Sequence, residues 1–317
     1  MQYIIAYILP LILIILSGNY FIDYIKKLNF GQQVREYGPE SHFKKAGVPT
    51  MGGLLIISVF LIVALIMLPL KLEVIITLIT TFIMALTGFL DDFLKVKLER
   101  SLGLKAWQKI IMQIAAAAAT VFTAVFILNQ HSLIIPFLGS YEIGAVAKTI
   151  LAFIVIIGSS NAVNLTDGLD GLAAGITAVV TLAFAILFYF LELTDYSLIM
   201  LIMSGSCTAF LWFNANPASV FMGDVGSLAI GAFLGAVVVL TASEIYLLII
   251  GGVYVIETLS VIIQVPYYKI TGGKRVFKMT PIHHHFELSG LAENKIVFRF
   301  SIITILLSLF ALTSLIY

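Results

Sequence analysis

The chain has 317 residues, 61% hydrophobic and only 11% charged, with a mean hydropathy of +1.09 and a formal net charge of +1. A soluble globular domain carries roughly 25% charged residues, so there is too little polarity here to cover a water-facing surface. This excludes a soluble enzyme, a disordered chain and a basic nucleic-acid-binding domain, and defines a polytopic membrane protein.

A helix needs about 20 apolar residues to cross a bilayer. Ten stretches meet that demand, at about 3–22, 51–70, 74–90, 107–128, 148–163, 172–191, 196–213, 227–242, 245–264 and 296–316. The first has no positive charge before it and no small-residue cleavage site after it, so it reads as a membrane helix rather than a cleaved signal peptide. Lys26, Lys27, Arg35, Lys44 and Lys45 follow it, which places that loop in the cytoplasm. Alternating spans then put five loops inside, at about 23–50, 91–106, 164–171, 214–226 and 265–295. Every Lys and Arg except Lys71 and Lys148 falls in or beside these loops. The expectation is an all-α integral membrane protein forming one polytopic domain over residues 1–317. It has ten transmembrane helices, both termini extracytoplasmic, and a working face in the cytoplasm. Among the outer connections only 129–147, fairly apolar and containing Pro136 and Gly139, is long. The single cysteine, Cys207, sits in an apolar run, which excludes an intramolecular disulfide and suits a small buried hydrophobe.

The inner loops hold the unusual polar residues. In 23–50, Lys44 and Lys45 precede Pro49, Thr50, Met51, Gly52 and Gly53, where glycines at a helix start serve either anion binding or close packing. Loop 91–106 opens with Asp91 and Asp92, adjacent carboxylates at the end of an apolar helix. Lys95, four residues after Asp91, shares its face if the helix continues; an ordinary interfacial ion pair is the plain alternative. In 164–171, Asn164, Asp167 and Asp170 recur every three residues, so one helical turn would align them, and Gly168 and Gly171 admit close backbone approach. In 214–226, Asp224 lies between Gly223 and Gly226 just before an apolar helix. It is either an N-cap or a carboxylate for a metal–phosphate site. Phe221 before it either stacks on a planar base or inserts into lipid. Loop 265–295 carries Lys269, Lys274, Arg275 and Lys278, then His283, His284 and His285. Consecutive histidines on a helix point apart, so they make a poor joint zinc set and suit phosphate contact better. Glu257 and Gln264 lie in the ninth span, with Pro266 suggesting a kink there.

Five acids, Asp91, Asp92, Asp167, Asp170 and Asp224, thus converge with several bases on one face. Carboxylates with few His or Cys ligands favour Mg²⁺, held by one or two acids plus substrate phosphates. Such a site suits phosphoryl transfer between a soluble nucleotide and a lipid.

This motif set resembles the polyprenyl-phosphate N-acetylhexosamine-1-phosphate transferase superfamily over nearly the whole chain. Asp91-Asp92 with Lys95, residues 164–171, and Phe221-Met222-Gly223-Asp224 carry the broad likeness. Residues 49–53 and Pro281-Ile282-His283-His284-His285-Phe286-Glu287 narrow it to the phospho-N-acetylmuramoyl-pentapeptide transferase family. Val48 and Val225 stand where that family usually has Thr. The resemblance implies transfer of phospho-MurNAc-pentapeptide from UDP-MurNAc-pentapeptide to undecaprenyl phosphate at a bacterial cell membrane, with Mg²⁺, in a homodimer. It implies catalytic roles for Asp91, Asp92, Asp224, His283, His284 and His285. Asp224 would bind the metal, with Asp167 a further candidate. Lys45, Thr50, Lys95, Asn164, Asp167, Asp170, Phe221 and Gln264 would line the substrate site, with Phe221 on uracil. Three alternatives stand beside this: a UDP-GlcNAc transferase of the same superfamily, a secondary transporter using Glu257, and a non-catalytic scaffold.

Overall fold

The computed structural model describes residues 1–28, 47–98 and 103–316; Lys45 lies outside the described residues. The chain is predominantly helical. Among the described residues eight helices are long and apolar enough to cross a membrane: α1 (Gln2–Lys27), α3 (Leu72–Lys97), α4 (Ala106–Phe122, running on as a π-helical turn to Ile127), α5 (Ala145–Thr166), α6 (Leu172–Phe190), α7 (Thr194–Asn214), α8 (Gly223–Leu240) and α12 (Glu293–Leu312). The short helix α2 (Gly53–Met67) is equally apolar but has 15 residues. Helices α9 (Glu244–Ile250) and α10 (Gly252–Ile270) together form one broken span, and α11 (Ile282–Glu287) is a single short turn carrying the histidines.

Helix α8 is the axis of the molecule. From Val225 to Leu240 every residue is buried, as expected of a helix apolar on all sides. Small residues let its neighbours come close, the packing device available where lipid offers no hydrophobic drive. A side chain on Gly53 of α2 would stand 2.2 Å from the Gly226 backbone, and one on Gly231 would stand 2.3 Å from the Ser159 carbonyl of α5. Ser159 and Ser160 complete that contact by donating their hydroxyls to the carbonyls of Gly231 and Leu228 at 2.7 and 3.0 Å. Helix α3 crosses at Gly88, where a methyl group would meet the Asp224 carbonyl oxygen at 2.2 Å. Helix α1, by contrast, buries only the narrow stripe Ala6, Pro10, Ile14, Gly18, Ile22 and Ile25, against α7, and leaves Ile4, Ile8, Ile12 and Leu16 exposed.

Two features differ from the sequence reading. The ninth span is not one helix over 245–264: the chain bends by 83° between α9 and α10. The break falls at Gly251, whereas α10 continues through Pro266. The long connection 129–147 is a β-hairpin, with Ser132–Ile135 antiparallel to Gly139–Glu142, a small addition to an otherwise helical chain. The hairpin is tied down by Lys148, which is fully buried, pairs with Glu244 and donates to the Ser132 carbonyl at 3.0 Å. Lys71, the other lysine outside the basic loops, forms a surface ion pair with Asp195 at 2.6 Å.

Candidate active site

Helix α3 outlasts its apolar stretch and continues to Lys97. Asp91 and Asp92 therefore sit on its last turns, and Lys95 lies directly above Asp91, Nζ to Oδ2 2.6 Å. The same ammonium is 3.3 Å from Asp92 Oδ1 and 3.2 Å from Asp224 Oδ2. A second cation, Lys109 from the first turn of α4, reaches Asp224 Oδ2 at 2.7 Å and Asp91 Oδ2 at 3.0 Å. Oxygens of Asp91, Asp92 and Asp224 all lie within 4.8 Å of one another. Three carboxylates this close repel unless cations share the site, and the two lysines supply that charge.

Backbone geometry fixes each acid. Asp91, with no exposed surface, accepts the Leu104 N–H at 2.7 Å, and Gly103 leaves room for its side chain. Asp92 accepts the Val225 N–H at 3.2 Å, locking the end of α3 to the start of α8. Asp224 lies in the first turn of α8 and is not its N-cap, a place held by Met222. Its Oδ1 instead accepts from the Asn164 amide at 2.9 Å, and that amide also reaches Ser227 Oγ at 2.9 Å. Gly223 has φ +75°, open to glycine at no steric cost; a side chain there would press on Asp92 and on Thr50.

The segment 49–53 forms a short clamp on the residues before α8. Phe221 N–H donates to the Pro49 carbonyl, and Gly52 and Gly53 N–H donate to the carbonyls of Phe221 and Met222, each at 2.8 Å. Thr50 is buried beside Gly223, and the Phe221 ring stays partly exposed.

The expected alignment of Asn164, Asp167 and Asp170 on one helical turn does not occur. Helix α5 ends at Thr166, and Gly171, at φ +78°, turns the chain into α6. Asn164 faces Asp224. Asp170 points elsewhere: its Oδ2 accepts from Asn216 Nδ2 at 3.0 Å and from Ala218 N–H at 3.1 Å. Asp167 is not one of the three clustered carboxylates, but it feels them. Burial, then the negative charges of Asp224 and Asp92, push its carboxyl up to about 7.

The three histidines have different partners, although the rings of His283 and His284 lie together, centroids 4.2 Å apart. His283 is fully buried with Nδ1 3.0 Å from Glu257 Oε1. His284 Nδ1 is 3.2 Å from Glu287 Oε2, and His285 Nδ1 accepts the Lys278 N–H at 3.1 Å. Gln264 is engaged with the basic loop: its amide accepts the N–H groups of Val276 and Phe277 at 2.9 and 3.0 Å and donates to the Phe277 carbonyl at 2.7 Å.

Two polar groups escaped the sequence reading. Lys109, in the first turn of α4, is counted there only among the basic residues in or beside the inner loops; a lysine just inside an otherwise apolar span is itself a signal. Asn214 accepts the Gly171 N–H at 3.1 Å and donates to the Val220 carbonyl at 2.8 Å, stapling two of the loops together.

A cluster of carboxylate oxygens without thiolate or imidazole ligands has the donor chemistry of a Mg²⁺ site, and Asp91, Asp92 and Asp224 fit that ion. The flanking lysines suit phosphate oxygens, so the arrangement can gather a metal and a diphosphate at the end of a helix bundle.

Residues 74–242 match the Glycosyl transferase family 4, and residues 45–57 match the phospho-N-acetylmuramoyl-pentapeptide-transferase signature 1. The chain is 45% identical over 302 residues to the phospho-N-acetylmuramoyl-pentapeptide-transferase of Desulforamulus reducens, covering 93% of this chain and 90% of that protein. Identity to the enzyme of the same name from Bacillus pumilus is 46% over 300 residues, or 92% and 91% of the two chains. With the Bacillus anthracis enzyme it is 47% over 285 residues, or 88% and 87%. The fold and these relatives together show a multi-pass membrane transferase. Within that class, the chain belongs to the phospho-N-acetylmuramoyl-pentapeptide-transferase family.

Proposed function

We propose that the protein transfers phospho-MurNAc-pentapeptide from UDP-MurNAc-pentapeptide to undecaprenyl phosphate, yielding the lipid-linked diphosphate sugar (lipid I) and UMP for peptidoglycan synthesis. The observation that carries this reading is the meeting of Asp91, Asp92 and Asp224 with Lys95 and Lys109. These side chains come from three separate helices. They combine the metal-binding and phosphate-binding groups that a sugar nucleotide and a lipid phosphate both require.

In the reaction an oxygen of the lipid phosphate bonds to the β-phosphorus of the donor. The bond from that phosphorus to the bridging oxygen breaks, and UMP leaves with the electron pair. Mg²⁺ supplies charge neutralisation at the diphosphate, and Asp224 would hold it with Asp91 or Asp92 alongside. Asn164 donates to Asp224 Oδ1, while the two lysines take Oδ2. Lys95 and Lys109 draw phosphate oxygens toward the acids. Phe221, its backbone clamped by Pro49 and Gly52, offers a ring face to uracil, and Thr50 and Asp167 lie at the same edge. A phosphate monoester has its second pKa near 6, so the acceptor is already largely ionised and a strong base is unnecessary. Asp91, buried beneath two lysines and a backbone N–H, suits orientation of the acceptor rather than covalent attack. Positioning and electrostatics then supply most of the rate.

This reading takes α2 and the broken α9–α10 pair as spans. That gives ten crossings, both termini outside, and a site facing the cytoplasm of the bacterial inner membrane, in a homodimer. The retention of nearly all Lys and Arg on the Asp91–Asp224 side supports that orientation. Purified protein should release UMP from UDP-MurNAc-pentapeptide when given undecaprenyl phosphate. Release from UDP-GlcNAc instead would move the chain to the other branch of the superfamily, and release from neither would leave a transporter or scaffold.

A further inference from the structure

Glu257 belongs to none of the motifs that define the site, yet it is fully buried in α10 and bonded to the first histidine of α11. Its Oε1 lies 3.0 Å from His283 Nδ1, and its Oε2 lies 3.4 Å from the His283 backbone N–H. A carboxylate only accepts, so the shared proton resides on Nδ1, and the second contact stops the turn from rotating away. The other ring nitrogen, Nε2, is buried and has no hydrogen-bond partner among the described residues. It faces the loop after α5. A side chain on Gly168 would stand 2.2 Å from Nε2, so only glycine lets the loop pass this close. The same segment carries Asn164, whose amide holds Asp224 Oδ1 at 2.9 Å, so the unpartnered nitrogen abuts the stretch of chain that reaches the carboxylate cluster.

We propose that Glu257 is a positioning residue: it fixes His283 as the Nδ1–H tautomer and so presents Nε2 as a hydrogen-bond acceptor to an N–H or O–H group of the bound substrate. Ionised diphosphate oxygens carry no proton and cannot satisfy such an acceptor. His283 therefore differs in task from the lysines, and its ligand is an amide or hydroxyl of the donor. The inference rests on the proposed transfer reaction for its ligand, while the tautomer rests on geometry alone.

The test pairs kinetics with spectroscopy. UMP release should fall about 10- to 100-fold in kcat for Glu257→Leu, by analogy with the loss seen when a metal-bound histidine loses its supporting carboxylate, with the KM for undecaprenyl phosphate unchanged. Glu257→Gln, whose amide oxygen accepts the same proton, should recover most of the loss. A Leu variant as active as wild type, or a folded Gln variant as impaired as the Leu variant, would overturn the proposal. In ¹⁵N-histidine-labelled protein without substrate, the ring resonances lost in His283→Gln should report a protonated Nδ1 and an unprotonated Nε2. A proton on Nε2 would refute the tautomer. That spectrum needs no turnover, so it decides the tautomer even if Glu257→Leu does not fold or the wild type releases no UMP, and the latter result would refute the proposed reaction instead.

Discussion

Lys109 and Asp224 lie 115 residues apart in sequence and 2.7 Å apart in space, each in the first turn of its helix. The contact ties α4 to α8 at the carboxylate cluster and places a cation against the acid proposed to hold the metal. Replacing Lys109 by Met removes a charge from the phosphate-binding face. Loss of one such preorganised electrostatic group costs about a hundredfold in kcat. Lys109→Arg should recover part of it. Rate measurements on both variants, with thermal unfolding as the folding control, check this.

Asp224→Asn keeps the shape of the side chain and removes its charge. Mg²⁺-dependent turnover should vanish while the unfolding temperature stays close to wild type. Titration with Mn²⁺, followed by its electron paramagnetic resonance signal, should show weakened metal binding; unaltered affinity would remove Asp224 from the metal site.

Gly88 has no space for a methyl group, because the Asp224 carbonyl oxygen stands 2.2 Å from where it would go. Gly88→Ala should push α3 from α8, destabilise the protein by about 1–3 kcal/mol, and cut activity further than the lost stability explains. Thermal unfolding and UMP release on the same preparation separate the two effects.

Asp167 yields a pH dependence. Its carboxyl is raised from 3.8 to about 7 by burial and by neighbouring acids. Between these values the folded protein binds more protons at this position than the unfolded chain does, so the contribution of Asp167 to stability falls as pH rises from about 4 to 7. In metal-free buffer, Asp167→Asn should flatten that decline in the unfolding temperature. An identical slope in variant and wild type would contradict the assignment.

Phe221→Ala should weaken UMP binding. Stacking of a base on an aromatic ring contributes about 1–3 kcal/mol, so calorimetry should record a rise in Kd of about 5- to 150-fold. An unchanged Kd would mean that the ring faces lipid.

Much of this was legible in the sequence because a membrane penalises polarity: where charge survives beside apolar spans, it has a task. The extension of α3 through Lys95 and the gathering of Asp91, Asp92 and Asp224 follow from helix periodicity and the cost of clustered charge, whereas helix periodicity alone did not give the contact between the His283 and His284 rings. What escaped was set by tertiary contact. Periodicity cannot separate one apolar helix from two joined at Gly251, because both are apolar throughout. A three-residue repeat aligned Asn164 with Asp170 only as long as the helix was assumed to continue, and α5 ends between them. The engagement of Gln264 with Val276 and Phe277 depends on a loop whose path no local signal gives.

The central claim is direct transfer at a metal-binding cluster of Asp91, Asp92 and Asp224. It is tested most directly by following UMP release from UDP-MurNAc-pentapeptide with Mg²⁺ and undecaprenyl phosphate each supplied or withheld. Release only when both are present, matched one for one by lipid-linked product, is the predicted result. A burst of UMP without the lipid acceptor, leaving a phosphorylated aspartate, or full turnover in a metal chelator, would contradict it.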